Sequence, residues 1–391
     1  MSAPTPAYPL ATSTWDDAEL AAIAEVVESG RFTMGPRVAE FERRCAEALG
    51  ARHAVMVNSG SSANLLAVAA AVLDPRIDLA AGDEVIVPAV SWATTYYPLA
   101  QYGLRLRFVD IDLDTLNLDL DGVAAAVTER TRAVFAVNLL GNPLDYARLR
   151  AVCDEHGLLL LEDNCESLGA TFEGRSAGTF GRMGTLSSFF SHHISTMEGG
   201  VVLTDDEELR QILVSLRAHG WTRELPVDNV VHPKSGDAFD DLFRFVLPGY
   251  NVRPLEMSGA LGITQVAKLP ALVAGRRRNA DVFRSAMADL PVRLQRETGE
   301  SSWFGFSMVL EGPLAGRRRE LVAALDAAGV ESRPVVAGNF ARNPVMRYLD
   351  AVVPELPAAD KVHVDGLFVG NHHYPIDDGV ALLRDTVAGL L

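Results

Sequence analysis

The chain has 391 residues, 48% of them hydrophobic, and a formal net charge of −16 at pH 7. A chain of this size and composition can bury a large core. The acidic balance and the lack of a basic tract disfavour nucleic-acid binding, and we find neither an N-terminal signal pattern nor an unbroken apolar run of about 18 residues. We therefore expect a globular, cytoplasmic protein that binds neither nucleic acid nor membrane.

Strand-like and helical patterns alternate through the first part of the chain. Apolar, strand-like runs at 85–87, 106–109, 133–137 and 158–161 are separated by helical patterns such as 65–72 and 146–156. This alternation is typical of a mainly parallel sheet covered by helices on both faces. In such sheets ligands bind beyond the carboxyl ends of the strands. Residues that directly follow a strand are therefore candidates for a site.

The pattern changes after Pro254. A long helical segment runs to Met287, and it is followed by a strand-like run at 303–310, a helical run at 317–328 and a terminal segment that contains Asn371. We predict two domains. Residues 1–254 form a large domain that includes an N-terminal segment, and residues 255–391 form a linking helix and a smaller C-terminal α/β domain.

A turn of small residues at 58–64 opens the helical run at 65–72. A helix that begins there would direct free backbone N–H groups toward a bound anion. Gly60 permits close approach of the backbone, and Ser61 and Ser62 add hydroxyl groups. An ordinary serine N-cap explains the same residues, so the turn alone does not establish an anion site.

Two side chains follow strand-like runs closely. Trp92 comes after the run at 85–87 and can stack on an aromatic ligand, although a core tryptophan is an alternative. Asp163 comes after the run at 158–161, and a carboxylate there can pair with a protonated ring nitrogen. A solvated acidic strand end explains Asp163 equally well.

His192 and His193 are adjacent, which does not favour a metal site. Neighbouring side chains in an extended segment point to opposite faces, and the chain has no HExxH spacing. Histidine suits reversible proton transfer near neutral pH, so one of the pair is a candidate general base, with a structural role as the alternative. Cys45, Cys153 and Cys165 indicate neither a disulfide framework nor a zinc site, and three thiolates cannot hold an all-cysteine iron–sulfur cluster.

The order and spacing of five segments are more specific than any single one. Together they resemble the nucleotide-sugar aminotransferases of the DegT/DnrJ/EryC1/StrS family, which are fold type I pyridoxal phosphate enzymes; the segments are 58–63, 82–88, 162–166, 188–189 and 249–253. The resemblance extends from Phe32 to Asn371. It implies an α/β fold with a large, mainly parallel mixed sheet sandwiched by helices, plus the smaller C-terminal α/β domain, so that residues 1–254 bind the cofactor.

The resemblance also implies roles for particular residues. Asp163 would pair with the pyridine nitrogen of the cofactor, Trp92 would stack on its ring, and Glu166 would lie beside its hydroxyl group, where glutamine or histidine is usual. Asn251 would reach the phosphate from a partner subunit, which implies a homodimer with shared active sites. The remaining phosphate ligands implied are Gly60, Ser61, Ser62 and Ser188.

One position departs from the family pattern. Five residues after Ser188, the family carries the lysine that binds pyridoxal phosphate covalently, and this chain has His193. This implies non-covalently bound pyridoxal 5'-phosphate or pyridoxamine 5'-phosphate, and it resembles the sugar 3-dehydratase branch of the family, in which histidine is the base. With three cysteines, the chain does not fit the subgroup of that branch that uses an iron–sulfur cluster.

Segments 87–92, 217–223 and 297–306 resemble members of this branch that act on GDP-4-keto-6-deoxy-D-mannose. The implied reaction removes the C3 hydroxyl of that sugar with His193 as base, uses L-glutamate as amino donor, and releases 2-oxoglutarate and ammonia. We expect His219, Arg223 and Arg333 to contact substrate, since a guanidinium binds carboxylate or phosphate in bidentate fashion. Simple surface solvation is the alternative for each arginine.

Two other classes of function remain open. A nucleotide-sugar 4-aminotransferase would need a different base and another route to product release, because histidine cannot form the imine that lysine forms. A non-catalytic homologue would have kept the fold after losing the lysine. That class does not explain why the other residues expected to contact the cofactor, including Asp163 and Trp92, are present.

Overall fold

An eight-stranded sheet forms the centre of the computed structural model, which describes residues 6–391. The α-helices, α1 to α12 in chain order, are Asp17–Ser29, Pro36–Leu49, Gly60–Leu73, Ala93–Gln101, Leu120–Ala126, Tyr146–His156, Glu207–Arg217, Ala238–Asp241, Glu256–Met287, Arg318–Ala328, Pro357–Asp365 and Asp377–Ala388. The strands, β1 to β14, are His53–Val57, Glu84–Pro88, Arg105–Val109, Thr131–Val137, Leu159–Asp163, Thr171–Phe172, Arg175–Ser176, Met183–Ser187, Gly200–Thr204, Val292–Leu294, Gly305–Leu310, Ser332–Arg333, Ala351–Val352 and Gly366–Gly370.

The central sheet is mixed but mainly parallel. Its strand order is β1-β9-β8-β5-β4-β2-β3-β13, and only β9 runs antiparallel to its neighbours. The other strands therefore end at the same edge, where parallel α/β sheets bind ligands. The predicted fold class, a large mainly parallel mixed sheet sandwiched by helices, is confirmed.

Both faces of this sheet are buried, as the continuous apolar strands predict. Along β4, Phe135 packs into one core cluster with α3, while Val134 and Ala136 pack into a second cluster with α6. Successive side chains of a strand point to opposite faces, so two apolar layers cover β4 from both sides. A third cluster packs α2 and α9 against β1.

A second sheet lies in the C-terminal part of the chain. Its four strands are antiparallel, in the order β10-β11-β14-β12, and they pack with α10 and α12 around Phe306 and Leu383. β13, at 351–352, instead pairs with β3 of the central sheet. The chain after residue 254 thus contributes to both sheets, and the predicted boundary at 254 stays a prediction.

The helix α9 connects the two sheets. By length and composition α9 could cross a membrane, yet 56% of its apolar window is buried inside the protein. It packs against α1, α2 and α12, and it carries Lys268 and Arg276. Its apolar residues therefore belong to the core of the fold.

Candidate active site

A cavity of about 630 Å³ opens at the carboxyl edge of the central sheet. The cavity is lined by segments that follow β1, β2 and β5, by the end of β8, and by residues near β12 and in the segment before β11. The cavity brings together six of the predicted site residues: Gly60, Ser61, Trp92, Asp163, Glu166 and Arg333. The others lie elsewhere, and for two of them an adjacent residue lines the cavity instead.

The N-terminus of α3 forms one end of the cavity. Ser59 caps the helix, because its Oγ accepts a hydrogen bond from the backbone N–H of Ser62 at 3.1 Å. The first N–H groups of a helix have no intrahelical partner and are available to an anion. Ser59, Gly60 and Ser61 line the cavity, whereas Ser62, which was predicted to do so, turns its hydroxyl toward Ser59 at 3.1 Å.

Gly60 has a steric role that the structure defines. A Cβ atom at this position would lie 2.6 Å from Cβ of Ser187 and 3.0 Å from Sγ of Cys165. Any larger residue would therefore displace the end of β8 from the helix. The absence of a side chain at Gly60 allows the Ser187 hydroxyl to lie beside the α3 N-terminus, which creates a small polar cradle of the kind that holds phosphate.

The predicted serine is one residue away from the serine that lines the cavity. Ser187 lines the cavity, whereas Ser188 is buried with its Oγ 2.6 Å from Oγ1 of Thr196. The backbone of Ser188 also bonds to Gly199 and Thr196. The structure therefore does not bring the predicted phosphate ligand, Ser188, into the cavity, because its hydroxyl has a buried partner, and Ser187 lies there instead.

Asp163 is held in a fixed orientation at the base of the cavity. Its Oδ2 accepts hydrogen bonds from Nδ2 of Asn64 at 2.8 Å and from Oγ1 of Thr95 at 2.7 Å. Its Oδ1 accepts one from the backbone N–H of Cys165 at 3.2 Å. These three donors fix the orientation of the carboxyl group, which can then face a cationic ring nitrogen.

Asn64 and Thr95 were not predicted as site residues, although a local signal was present. Asn64 lies four residues after Gly60 on α3, so the two share one face of the helix. Thr95 lies three residues after Trp92, in the first turn of α4. The sequence did not indicate that both residues would meet Asp163, because that contact depends on how α3 and α4 pack over β5.

Trp92 and Glu166 both line the cavity. Trp92 is 58% exposed and lines the cavity, so its indole face is available to a ligand. The carboxyl group of Glu166 accepts a hydrogen bond from the backbone N–H of Leu140 at 3.2 Å. Burial, and to a lesser extent the negative charge of Asp163, raises the pKa of Glu166 to about 7.

The histidine that lines the cavity is His192. Its ring lies 5.1 Å from that of Phe304 and 5.8 Å from that of Phe189. Its Nδ1 has no hydrogen-bond partner within the described residues. Burial lowers the pKa of His192 to about 4, with a further contribution from the positive charge of Arg276, so the imidazole is neutral near pH 7.

His193 points away from the cavity. It is fully buried, and its Nε2–H donates to the backbone oxygen of Ser302 at 3.1 Å. The structure therefore does not bring the predicted base, His193, into the cavity, and the adjacent His192 lies there instead. The five-residue spacing from serine to histidine is preserved, since Ser187 and His192 are related as Ser188 and His193 were expected to be.

Three predicted residues lie together outside the cavity. The centre of the Trp221 ring lies 5.0 Å from that of the His219 ring and 5.3 Å from the guanidinium carbon of Arg223. The guanidinium carbon of Arg253 lies 5.6 Å from the same ring centre, and Arg253 donates a hydrogen bond to Oδ1 of Asn251. None of the three lines the cavity of its own chain. Their predicted roles therefore require a second subunit and stay predictions.

The donor set of the cavity fits a phosphorylated pyridine ring. It combines a helix N-terminus with serine hydroxyls, a buried carboxylate and an exposed indole face. Within residues 6–391, no group of three or more histidine, cysteine, aspartate or glutamate side chains is placed to hold a metal ion. Sheet topology and site together define the class of fold type I pyridoxal phosphate enzymes.

Comparison with known proteins gives the family. The family model described as the DegT/DnrJ/EryC1/StrS aminotransferase family matches residues 13–378. The chain belongs to this family. It is 53% identical over 384 residues to GDP-4-keto-6-deoxy-D-mannose 3-dehydratase of Escherichia coli O55:H7, an alignment that covers 97% of this chain and 99% of the relative.

Solved structures agree with this relationship. A GDP-4-keto-6-deoxymannose-3-dehydratase with a trapped PLP-glutamate geminal diamine matches with a TM-score of 0.95 at 53% identity, over 97% of this chain and 100% of the other. A histidine-to-asparagine variant with bound GDP-perosamine gives the same values. A double variant, in which lysine replaces a histidine and asparagine replaces the serine before it, matches with a TM-score of 0.94 at 52% identity, over 96% and 100%.

Proposed function

We propose that this protein is a pyridoxal phosphate-dependent 3-dehydratase of GDP-4-keto-6-deoxy-D-mannose. It removes the C3 hydroxyl to give GDP-4-keto-3,6-dideoxy-D-mannose, with L-glutamate as amino donor and 2-oxoglutarate and ammonia as by-products. The reaction balances, because oxidation of glutamate supplies the two electrons that replacement of the hydroxyl by hydrogen consumes. Support comes from the named activity of relatives that are 53% identical over almost the whole chain.

The observation that carries the proposal is a histidine, without any lysine, in the cavity. The three lysines of the chain lie elsewhere: Lys268 pairs with Glu19 and Asp16, Lys361 with Asp365, and Lys234 donates to the Leu225 carbonyl. A primary amine is needed to hold the cofactor covalently and to release an aminated product. Without one, the cofactor is bound non-covalently, and stable transfer of the amine to the sugar is disfavoured.

Residues of the cavity are matched to the parts of the cofactor. The N–H groups of Gly60 and Ser61 with the Ser187 hydroxyl would hold its phosphate, and Asp163 would pair with the ring nitrogen. The indole of Trp92 would stack on the ring, and Glu166 would lie beside its hydroxyl group. When bound, pyridoxamine phosphate supplies an amine for the C4 ketone and a ring that accepts an electron pair.

His192 would then act as the base. Its neutral imidazole can take a proton near the ring and return one to the departing C3 hydroxyl. Among the relatives, an adjacent serine and histidine were exchanged together for asparagine and lysine. In this chain Ser191 precedes His192, whereas His193 follows another histidine, so the serine–histidine pair also supports His192.

Arg333, on β12, would contact the substrate. It lies at the cavity, and no carboxylate of residues 6–391 forms an ion pair with it, so its guanidinium is available to a diphosphate or to a glutamate carboxylate. We further propose a homodimer in which Asn251 of the partner subunit completes the phosphate site. His219 and Arg223 lie in the same surface cluster as Asn251 and would reach substrate from that side.

The proposal includes no iron–sulfur cluster and a cytoplasmic location. The chain has only three cysteines, which lie on α2, on α6 and after β5, and an all-cysteine cluster takes four thiolates. The three cysteines are free, which suits the cytoplasm, where thiols stay reduced.

The test is mass spectrometry of the product after incubation with pyridoxal phosphate, L-glutamate and GDP-4-keto-6-deoxy-D-mannose. Loss of one oxygen with the ketone retained, together with 2-oxoglutarate and ammonia, is the expected result. A stable aminosugar would instead establish a 4-aminotransferase. No conversion, with glutamate leaving the cofactor spectrum unchanged, would indicate a non-catalytic homologue.

A matched pair of variants tests the base. We expect His192→Asn to abolish loss of the hydroxyl, with kcat reduced about 100-fold or more, while pyridoxal phosphate still binds. His193→Asn removes the imidazole bond to Ser302. We therefore expect it to lower the free energy of unfolding and to leave kcat close to the wild-type value. The assignment is overturned if His193→Asn abolishes turnover and His192→Asn does not.

A further inference from the structure

Arg276 is a buried cation without a carboxylate partner. It lies on α9 with 4% of its surface exposed, and its Nη1 donates to backbone oxygens of Asn371 at 2.7 Å and Phe304 at 3.0 Å. Its Nε has no partner, and no carboxylate of residues 6–391 forms an ion pair with it. Burial of an uncompensated charge is costly, so such a residue calls for a function beyond packing.

The carbonyl groups that hold Arg276 belong to the wall of the active site. Phe304 and Asn371 both line the cavity, and the Phe304 ring lies 5.1 Å from the His192 ring. Nδ2 of Asn371 donates to the Trp303 oxygen at 2.8 Å, which ties the two segments together. The charge of Arg276 therefore lies directly behind the wall that His192 contacts.

We propose that Arg276 is a positioning residue of the reaction: its uncompensated positive charge, fixed behind Phe304 by backbone carbonyls, holds the His192 imidazole in the neutral form that accepts a proton. The inference rests on the proposed function insofar as His192 is the base. It adds a residue that touches neither cofactor nor substrate.

Electrostatics support this role. A nearby positive charge disfavours protonation of an imidazole, and Arg276 follows burial as a cause of the lowered pKa of both His192 and His193. The wall behind His192 also contains His193, which is neutral by the same causes. Other titratable or charged side chains share the cavity with His192: Asp163, Cys165, Glu166, Glu198 and Arg333.

The neighbouring Arg277 offers a matched control. It donates to the backbone oxygens of Ser301 at 2.9 Å and Glu300 at 3.2 Å, so it supports the same segment before β11. Its charge is compensated, because Nη1 lies 3.5 Å from the Glu300 carboxylate, and it is partly exposed. Arg277 thus makes the same kind of contact as Arg276, to backbone oxygens of the segment before β11, without the uncompensated charge.

The experiment measures the titration of His192 in holoenzyme of the wild type, Arg276→Gln, Arg276→Lys and Arg277→Gln. Histidine rings labelled with ¹³C are followed by NMR, and His192 is assigned by its loss in His192→Asn. The acid limb of kcat/KM is recorded in parallel. In Arg276→Gln we expect both midpoints to rise by about one pH unit, because the repulsive charge is gone. Arg276→Lys and Arg277→Gln should stay near the wild type.

Several results would overturn the inference. One is an Arg276→Gln protein that folds and binds cofactor but keeps the His192 midpoint of the wild type and of Arg277→Gln. If Arg276→Gln does not fold, Arg276→Met, which keeps the aliphatic stem and removes the charge, takes its place: a raised His192 midpoint supports the proposal, and an unchanged midpoint contradicts it. The NMR titration does not require turnover, so it separates this inference from failure of the proposed reaction.

Discussion

Nδ2 of Asn64 lies 2.8 Å from Oδ2 of Asp163, and the hydroxyl of Thr95 lies 2.7 Å from the same oxygen. Two helices thus fix one carboxylate oxygen at the base of the cavity. Because a carboxylate free to rotate would meet the ring nitrogen of a cofactor less often, these bonds are expected to contribute to cofactor affinity.

We predict that Thr95→Val weakens binding of pyridoxal phosphate about 10-fold or more, since a hydrogen bond to a charged group contributes about 1.5–3 kcal/mol. Valine keeps the shape of threonine and removes only the hydroxyl. Titration of the cofactor absorbance gives the dissociation constant. Thr131→Val is the control for the general loss of a buried hydroxyl, because Thr131 lies at the start of β4, away from Asp163. Equal affinities of the two variants would contradict the prediction.

The serine pair at the end of β8 permits a second comparison. Ser187→Ala removes a hydroxyl that faces Gly60 in the cavity and accepts a long bond, 3.3 Å, from the Phe189 N–H, so we expect lower affinity for pyridoxal phosphate with a smaller loss of unfolding free energy than in Ser188→Ala. Ser188→Ala removes the buried bond to Thr196, so we expect a loss of about 1 kcal/mol in stability and unchanged affinity. Fluorescence-detected cofactor titration and urea unfolding measure the two quantities. The opposite pattern would restore Ser188 as the phosphate ligand.

The success of the sequence-based predictions differs between fold and site for a physical reason. The helical pattern at 146–156 coincides with Tyr146–His156, and every predicted strand run overlaps an observed strand, because periodicity reports directly which face is buried. Between β8 and β9, residues 188–199 form neither helix nor strand. Side chains there have no period, so counting along the chain could not distinguish Ser187 from Ser188 or His192 from His193.

Contacts between distant segments were also beyond the sequence. Asn64 and Thr95 meet Asp163 only because α3 and α4 pack over the end of β5, and Arg276 lies behind the active-site wall only because α9 passes beneath it. The pattern of α9 predicted a helix, as observed. It did not predict that a charged residue on that helix would be buried without a counter-ion.

Glu166 is expected to make stability depend on pH. Its pKa is raised to about 7, mainly by burial, so the folded protein retains a proton that the unfolded chain loses near pH 4.5. The resulting stabilisation is fully present below the unfolded pKa and is lost as pH rises through about 7. In Glu166→Gln this component disappears.

We predict that the unfolding free energy of the cofactor-free protein, measured by urea titration, falls between pH 5 and pH 8 in both proteins. The fall should be smaller in Glu166→Gln than in the wild type by about 1–3 kcal/mol. Glu166→Asp, which keeps the carboxyl group, should retain the wild-type slope; identical slopes for all three would contradict the assignment.

Asn251 provides the test of a shared active site. It lies outside the cavity of its own chain, beside Arg253 and Trp221, so it can act at a phosphate only in a second subunit. We predict that Asn251→Asp and His192→Asn are each inactive alone, the first because a carboxylate repels phosphate.

In a dimer that contains one chain of each kind, both defects fall in one site and the other site is intact. Co-expression with two different affinity tags should therefore restore about one quarter of wild-type activity at random pairing, and about one half in purified heterodimers. If each chain instead used its own Asn251, every site of the heterodimer would carry one defect and no activity would return.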